Sequence, residues 1–124
     1  MPTTRRELGS VYTPQAIARR MVCACLDRWS ELHGAAAGQP GAFSCRVLDP
    51  ACGDGAFLLE VFDNLCRRRE ELPARSGDPD RSSAAAVRLG VVRNHIFGVD
   101  IDPPAVEALR AQLLKRIAPT DDLA

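Results

Sequence analysis

The chain has 124 residues, of which 46% are hydrophobic and 26% charged, as in a globular domain at the small end of the usual size range. Its 16 basic and 16 acidic residues cancel, so the composition does not favour a domain that binds nucleic acid by itself. No apolar stretch is long enough to span a bilayer, and the N-terminal MPTTRRELGS lacks the apolar core of a signal peptide. We expect one domain, in the cytoplasm.

The first predicted element is an amphipathic helix over roughly residues 14–32. Thr13 suits the N-cap position and Pro14 the first helical position. The apolar residues that recur at helical spacing behind them are Ile17, Met21, Val22, Cys25, Trp29 and Leu32. A connector rich in glycine, alanine and proline follows, over residues 33–42.

Two strand–helix units come next. CRVLD (45–49) is a predicted short buried strand, and the helix after it has an apolar inner face made by Phe57, Leu58, Val61, Phe62 and Leu65. A third helix over about 83–94 leads into a second predicted buried strand, HIFGVD (95–100). Asp102 then caps a fourth helix that begins at Pro103. This alternation predicts a parallel α/β sheet, but two strands are too few to complete one.

The five cysteines form no recognisable metal or disulfide pattern. Cys23 and Cys25 are separated by one residue within a helical pattern, which is poor geometry for zinc, and a second ligand pair is missing. Cys45 and Cys66 stand alone among apolar residues. We interpret these four as small buried thiols and predict no metal site.

The DPACGDG segment joins the first strand to its helix, which is where open α/β sheets bind ligands. Gly53 and Gly55 permit positive φ angles and let a ligand approach the backbone. A dinucleotide site needs a third glycine where this chain has Leu58. Carboxylates at Asp49 and Asp54 would also repel a pyrophosphate, so a dinucleotide is disfavoured.

S-adenosylmethionine suits this turn better because it carries no phosphate. Asp49 can neutralise its ammonium group, and backbone N–H groups can hold its carboxylate. Asp100, at the end of the second strand, can accept hydrogen bonds from both ribose hydroxyls, and Ile101 can pack on the adenine. The alternative is a plain turn at Asp100 and a tight strand–helix connection at the glycines. Two such motifs, each after a predicted strand, favour the ligand.

Three stretches now carry a family resemblance: ELGSVYTPQAIARRMV, VLDPACGDGAFLLEVF and HIFGVDIDPPAVEAL. In this order they resemble the opening of adenine-specific N6 DNA methyltransferases of restriction-modification systems, over about residues 6–114. Modification subunits of type I systems and fused, type IIG-like enzymes are the most similar groups. The resemblance implies an incomplete Rossmann-like methyltransferase domain over 1–124. It would comprise an N-terminal segment and helix (1–32) and the first two βα units (45–124).

The resemblance also implies S-adenosylmethionine as the cofactor. The implied binding residues are Tyr12, Thr13, Asp49, Ala51, Gly53, Gly55, Asp100 and Ile101. Tyr12 and Thr13 would contact the methionine end, and the backbone around Ala51 and Gly53 would hold the amino-acid moiety. Asp54 stands where the family usually has serine, and Cys52 matches a common family cysteine that we interpret as a packing residue.

In the family, an N/D-P-P-Y/F loop accepts the amino hydrogens of a flipped-out adenine and stacks an aromatic ring on the base. Asp102-Pro103-Pro104-Ala105 is the only similar tetrapeptide here. We reject it because alanine replaces the aromatic residue and because the segment lies two residues after Asp100, as a helix start. We therefore predict no catalytic residue in this chain, which alone would be inactive.

The functional expectation is the cofactor-binding portion of a DNA methyltransferase that modifies adenine at N6. DNA would be contacted through segments that this sequence lacks, and a restriction or specificity subunit is a possible partner class. The open alternatives are a non-catalytic remnant that binds the cofactor or a partner, and a methyltransferase acting on RNA or protein.

Overall fold

The computed structural model describes residues 13–33, 45–72, 77 and 82–118. Within these ranges it contains four helices and two short strands. In chain order they are α1 (Gln15–Leu32), β1 (Val47–Asp49), α2 (Ala56–Glu71), α3 (Ala84–His95), β2 (Ile96–Gly98) and α4 (Pro103–Ile117). The predicted alternation of helices and strands is confirmed, and the architecture is α/β, compatible with an incomplete Rossmann-like fold.

The two strands pair in parallel, with Leu48 opposite Phe97. The pairing continues past the ends of the strands, because the Val99 N–H donates to the Asp49 carbonyl at 3.0 Å. The Cys52 N–H then donates to the Val99 carbonyl at 2.9 Å. The carboxyl ends of β1 and β2 are therefore held side by side.

Helix α2 lies at the centre of the core. Its inner face, predicted from the apolar spacing, is buried at Leu58, Val61, Phe62 and Leu65. Helices α1, α3 and α4 contribute the other buried apolar side chains of this cluster, which are Val22, Leu26, Val91, Leu109 and Leu113. Burial of these side chains is the main source of stability, and it fixes α2 and the turn before it against the strands.

The sheet itself is less buried than predicted. Leu48 is 61% exposed and its partner Phe97 is 44% exposed. Successive strand residues point to opposite faces of a sheet, so both side chains lie on the same face. The opposite face is covered, since a Cβ at Gly98 would lie 2.8 Å from Leu58 Cδ1. The expectation of two buried strands was wrong for one face, because a parallel sheet is buried only where elements pack on both sides.

Helix α1 begins one residue later than predicted. Pro14, not Thr13, is the N-cap residue, because its ψ of 138° is extended. The Pro14 carbonyl accepts hydrogen bonds from the N–H groups of Ile17 and Ala18, both at 3.1 Å. No side chain caps this end of the helix, so the predicted capping role of Thr13 was wrong.

His95 was expected to open the second strand, but it is the last residue of α3. Its ring Nδ1 lies 2.7 Å from the Cys45 carbonyl oxygen, just before β1. The helix therefore runs directly into β2 at Ile96. This boundary depends on a contact 50 residues away along the chain, which local sequence patterns do not contain.

Arg68, near the C-terminal end of α2, connects this helix to α1. Arg68 donates through Nε to Asn64 Oδ1 at 2.5 Å and forms an ion pair with Asp27 of α1. Asn64 is buried and donates to Cys23 Sγ at 3.3 Å. These bonds join α1 to α2.

Of the helices described, none has the length and apolar character needed to cross a membrane.

Candidate functional site

The turn between β1 and α2 depends on two glycines with different requirements. Gly53 has φ +54° and open space around it, so only its backbone conformation favours glycine. Gly55 has φ +96° and is the N-cap of α2. A Cβ at Gly55 would lie 2.3 Å from Leu109 Cδ1, so both conformation and space require glycine there. Both residues adopt the positive φ that glycine permits at these positions.

Asp49 closes the first part of this turn. Its Oδ1 accepts a hydrogen bond from the Ala51 N–H at 3.1 Å, which is the local pattern by which aspartate stabilises turns. Asp49 also lines an apolar cleft of about 260 Å³ with residues of α1, β1 and α2, among them Met21, Cys25 and Phe57. Among the described residues that line the cleft, Asp49 is the only one with a charged side chain.

Asp100 follows β2 and accepts hydrogen bonds from the turn after β1 and from Asp102, just before α4. Its Oδ2 accepts from the Gly53 N–H and its Oδ1 from the Asp102 N–H, each at 2.8 Å. The N–H groups of Asp102, Gly53 and, to a smaller extent, Ile101 hold the pKa of this carboxyl below its ordinary value, against the opposing effect of desolvation. The carboxylate is therefore ionised at neutral pH.

The backbone donors that were expected to hold an amino-acid moiety are used within the chain. The N–H groups of Ala51 and Gly53 donate to Asp49 and Asp100. The Gly55 N–H donates to the Cys52 carbonyl at 3.0 Å. In the described structure these groups stabilise the turn itself.

The first N–H groups of α2, from Ala56 onward, were missed by the sequence reasoning. The first groups of any helix have no partner within it, and the N-cap residue of α2, Gly55, has no side chain to cap them. They can therefore receive an anion such as a carboxylate. The signal was present in the sequence, because a glycine N-cap at Gly55 has no side chain to accept from these donors.

The remaining predicted positions are Ile101, Thr13 and Tyr12. Ile101 is 79% exposed beside Asp100, which leaves an apolar surface next to the carboxylate. Thr13 lies with Asp54 and Arg116 along a groove of about 270 Å³ between α1, α2 and α4. Tyr12 lies outside the described residues. The structure thus brings Asp49, both glycines and Asp100 together and places Thr13 on an adjoining groove.

Cys52 lies beneath the turn as a packing residue. It is buried, and its Sγ would be 3.1 Å from a Cβ at Gly98. Burial raises the pKa of the Cys52 thiol, and the charges of Asp100 and Asp49 raise it further. The thiol is therefore protonated at neutral pH, which agrees with the packing interpretation and not with a nucleophile.

The other four cysteines were expected to be buried, and this is confirmed for Cys45 and Cys66. It was wrong for Cys25, which is exposed, and for Cys23, which is only partly buried. Both lie on α1, whose buried residues are Ala18, Val22 and Leu26.

The proline-rich tetrapeptide is a helix start, as predicted. Asp102 is the N-cap of α4 and Pro103 is its first residue. The described residues include no grouping of three or more His, Cys, Asp or Glu side chains able to hold a metal ion. The chemistry that this site offers is thus one carboxylate at each strand end, a left-handed glycine turn and a helix N-terminus.

Comparison with known proteins relates part of the chain to methyltransferases. The chain is 32% identical over 68 residues, 55% of its length, to the Methanocaldococcus jannaschii protein named "Putative type II restriction enzyme and methyltransferase RM.MjaORFECS2P". It is 38% identical over 64 residues, 52% of its length, to the Escherichia coli protein named "Adenine-specific methyltransferase BrxX". These segments are 6% and 5% of the two proteins, so the chain spans a small fraction of these relatives. No family model matches the chain, and no solved structure matches it.

Proposed function

We propose that this chain is the S-adenosylmethionine-binding part of an adenine-specific N6 DNA methyltransferase. The observation that carries the proposal is the meeting of the Asp100 carboxylate with the glycine turn, at the carboxyl ends of two adjacent parallel strands. Ligands of open α/β sheets bind at such ends. The partial similarity to two proteins named as methyltransferases supports the same conclusion.

The parts of the site match the parts of this cofactor. The ammonium group would lie near the Asp49 carboxylate, and the α-carboxylate near the uncapped N-terminus of α2. Asp100, ionised at neutral pH, would accept from the two ribose hydroxyls, and exposed Ile101 would pack on the adenine. Tyr12 and Thr13 would contact the methionine end from the N-terminal side of the chain.

A dinucleotide fits this site poorly. The third glycine of its motif is replaced by Leu58, which is buried against the strands with 1% of its surface exposed. The turn also presents Asp49, Asp54 and Asp100 within a few residues of the helix N-terminus that would have to hold a pyrophosphate. Like charges at such distances disfavour binding.

Bound S-adenosylmethionine would supply a methyl group on a sulfonium for transfer to the acceptor. The residues of this chain would bind and orient the cofactor, and orientation is a large part of catalysis when two reactants must meet in line. The groups that flip and hold the adenine would come from segments beyond this sequence, which has no N/D-P-P-Y/F tetrapeptide. DNA, and a restriction or specificity subunit, would be partners of that complete enzyme.

One observation favours a second candidate, a non-catalytic module that binds a partner. The face of the sheet that carries Leu48 and Phe97 is largely exposed, and exposed apolar surface of this kind occurs at interaction sites. A methyltransferase acting on RNA or protein would use the same cofactor site. A purified chain that binds no cofactor, yet is folded, would favour the partner-binding module.

Calorimetric titration of S-adenosylmethionine into the purified chain tests the proposal, with NAD as the control ligand. We expect saturable binding of S-adenosylmethionine, none of NAD, and a loss of about tenfold or more in affinity for Asp100→Ala, since two hydrogen bonds to a charged acceptor are removed. Asp102→Asn is the matched variant, because the Asp102 side chain makes no capping bond. Binding of NAD in place of S-adenosylmethionine would overturn the assignment.

A further inference from the structure

Both carboxylate oxygens of Asp100 are engaged by backbone donors of the chain itself. Oδ2 accepts from Gly53, 47 residues earlier in the sequence, and Oδ1 accepts from Asp102, two residues later. The first of these bonds joins the turn after β1 to the end of β2. An acid whose only task was to receive a ligand would not need this bond.

The Gly53 backbone has few other contacts, of which the Cys52 Sγ, 3.6 Å from its carbonyl oxygen, is one. No atom beyond its chain neighbours lies within 4 Å of where its Cβ would be, and its φ of +54° is left-handed. The preceding Cys52 N–H donates to the Val99 carbonyl, and the Gly53 N–H continues this series to Asp100. The hydrogen bond to Asp100 is therefore the contact that ties the Gly53 N–H to the end of β2, with no side chain packed where a Cβ would lie.

We propose that Asp100 is a positioning residue that sets the shape of the glycine turn before any ligand binds. We call the pair of bonds from Asp100 to Gly53 and Asp102 the Asp100 clasp. Each carboxylate oxygen can accept more than one hydrogen bond, and this side chain is only half-buried. The same oxygens can thus keep the clasp and receive hydroxyl groups of a ribose.

The clasp couples two parts of the ligand site. A ligand whose ribose contacts the Asp100 carboxylate would thereby affect the glycine turn, which is bonded to the same carboxylate. In the proposed binding mode this turn lies at the amino-acid end of the ligand. Bonds to an ionised acceptor are stronger than bonds to a neutral one, so asparagine at position 100 would weaken the clasp even though it is similar in size. The inference rests on the proposed function for the identity of the ligand, whereas the clasp can be tested without ligand.

The first test is amide hydrogen exchange by NMR on the ligand-free chain, compared with Asp100→Asn and Asp102→Asn. We expect a protected Gly53 amide whose exchange is faster by about tenfold or more in Asp100→Asn, the change that corresponds to losing a bond to a charged acceptor. Asp102→Asn keeps the backbone donor and should leave Gly53 unchanged. A Gly53 amide that exchanges at the rate of an unstructured peptide in the unaltered chain would overturn the proposal, whether or not the variants fold.

The second test compares S-adenosylhomocysteine with its 2′,3′-dideoxy analogue, which lacks both ribose hydroxyls. If Asp100 only received those hydroxyls, Asp100→Asn would weaken binding of the first ligand and leave the second unchanged. The clasp predicts that both ligands lose affinity, because the turn itself is altered, and an unchanged affinity for the dideoxy analogue overturns it. If the unaltered chain binds neither ligand, the proposed function fails, and Gly53 exchange alone decides the clasp.

Discussion

The two faces of the β1–β2 strand pair differ in how far other elements of the structure cover them. On one face, Leu58 packs beneath Gly98, and the turn after β1 is bonded to the end of β2 by successive backbone donors. On the other face, Leu48 and Phe97 lie side by side and remain largely exposed. The described residues therefore form a locally complete glycine turn on a sheet that is covered on one side only. Local completeness of a site and completeness of a fold are separate properties of a chain.

The largest change in the free energy of unfolding should come from a substitution on the covered face. Leu58→Ala removes a side chain with 1% of its surface exposed, and we expect a loss of about 2–5 kcal/mol in the free energy of unfolding, because a cavity replaces it. Urea unfolding followed by circular dichroism measures this change. A loss of less than about 1 kcal/mol would mean that the covered face is not packed as described.

A smaller effect should separate the two glycines of the turn. Gly55→Ala carries a conformational cost of about 1–2 kcal/mol and a packing cost of about 1–3 kcal/mol against Leu109. Gly53→Ala is the matched control, since it carries the conformational cost but meets open space. Urea unfolding of both variants compares them directly. Equal losses would show that the contact between Gly55 and Leu109 does not restrict the turn.

The smallest effect should come from the exposed face. Leu48→Ser should change the free energy of unfolding by no more than about 0.5 kcal/mol, as for most exposed positions. The same variant should lower any self-association seen by analytical ultracentrifugation, because an apolar side chain is lost from the surface. A destabilisation as large as that of Leu58→Ala would show that this face is covered in solution, and the contrast between the faces would then not hold.

The features that could be predicted from the sequence are those set by neighbouring residues. The glycines of the turn, the helix start at Asp102 and Pro103, and the inner face of α2 each follow from local chemistry or from apolar spacing. Similarity to methyltransferases could likewise be inferred from short motifs, because these motifs are contiguous in the chain.

The features that could not be predicted depend on distant contacts. His95 belongs to a helix and not a strand, and its ring meets the Cys45 carbonyl. Whether Leu48 is buried depends on what packs over it, which its own alternating pattern does not specify. The hydrogen bond from Gly53 to Asp100 joins residues 47 positions apart. The sequence therefore predicted Asp100 only as an acceptor of hydrogen bonds from a ligand.

The direct passage from α3 into β2 has a consequence for how the length of this chain can vary. Ile96 is both the C-cap of α3 and the first residue of β2, so no loop residue separates the helix from the strand. One extra residue in the last turns of α3 would either shift the pairing of β2 with β1 by one residue, which exchanges the two faces of the strand, or rotate the part of α3 before it by about 100°. Insertions and deletions in homologous chains should therefore be absent from the last turns of α3.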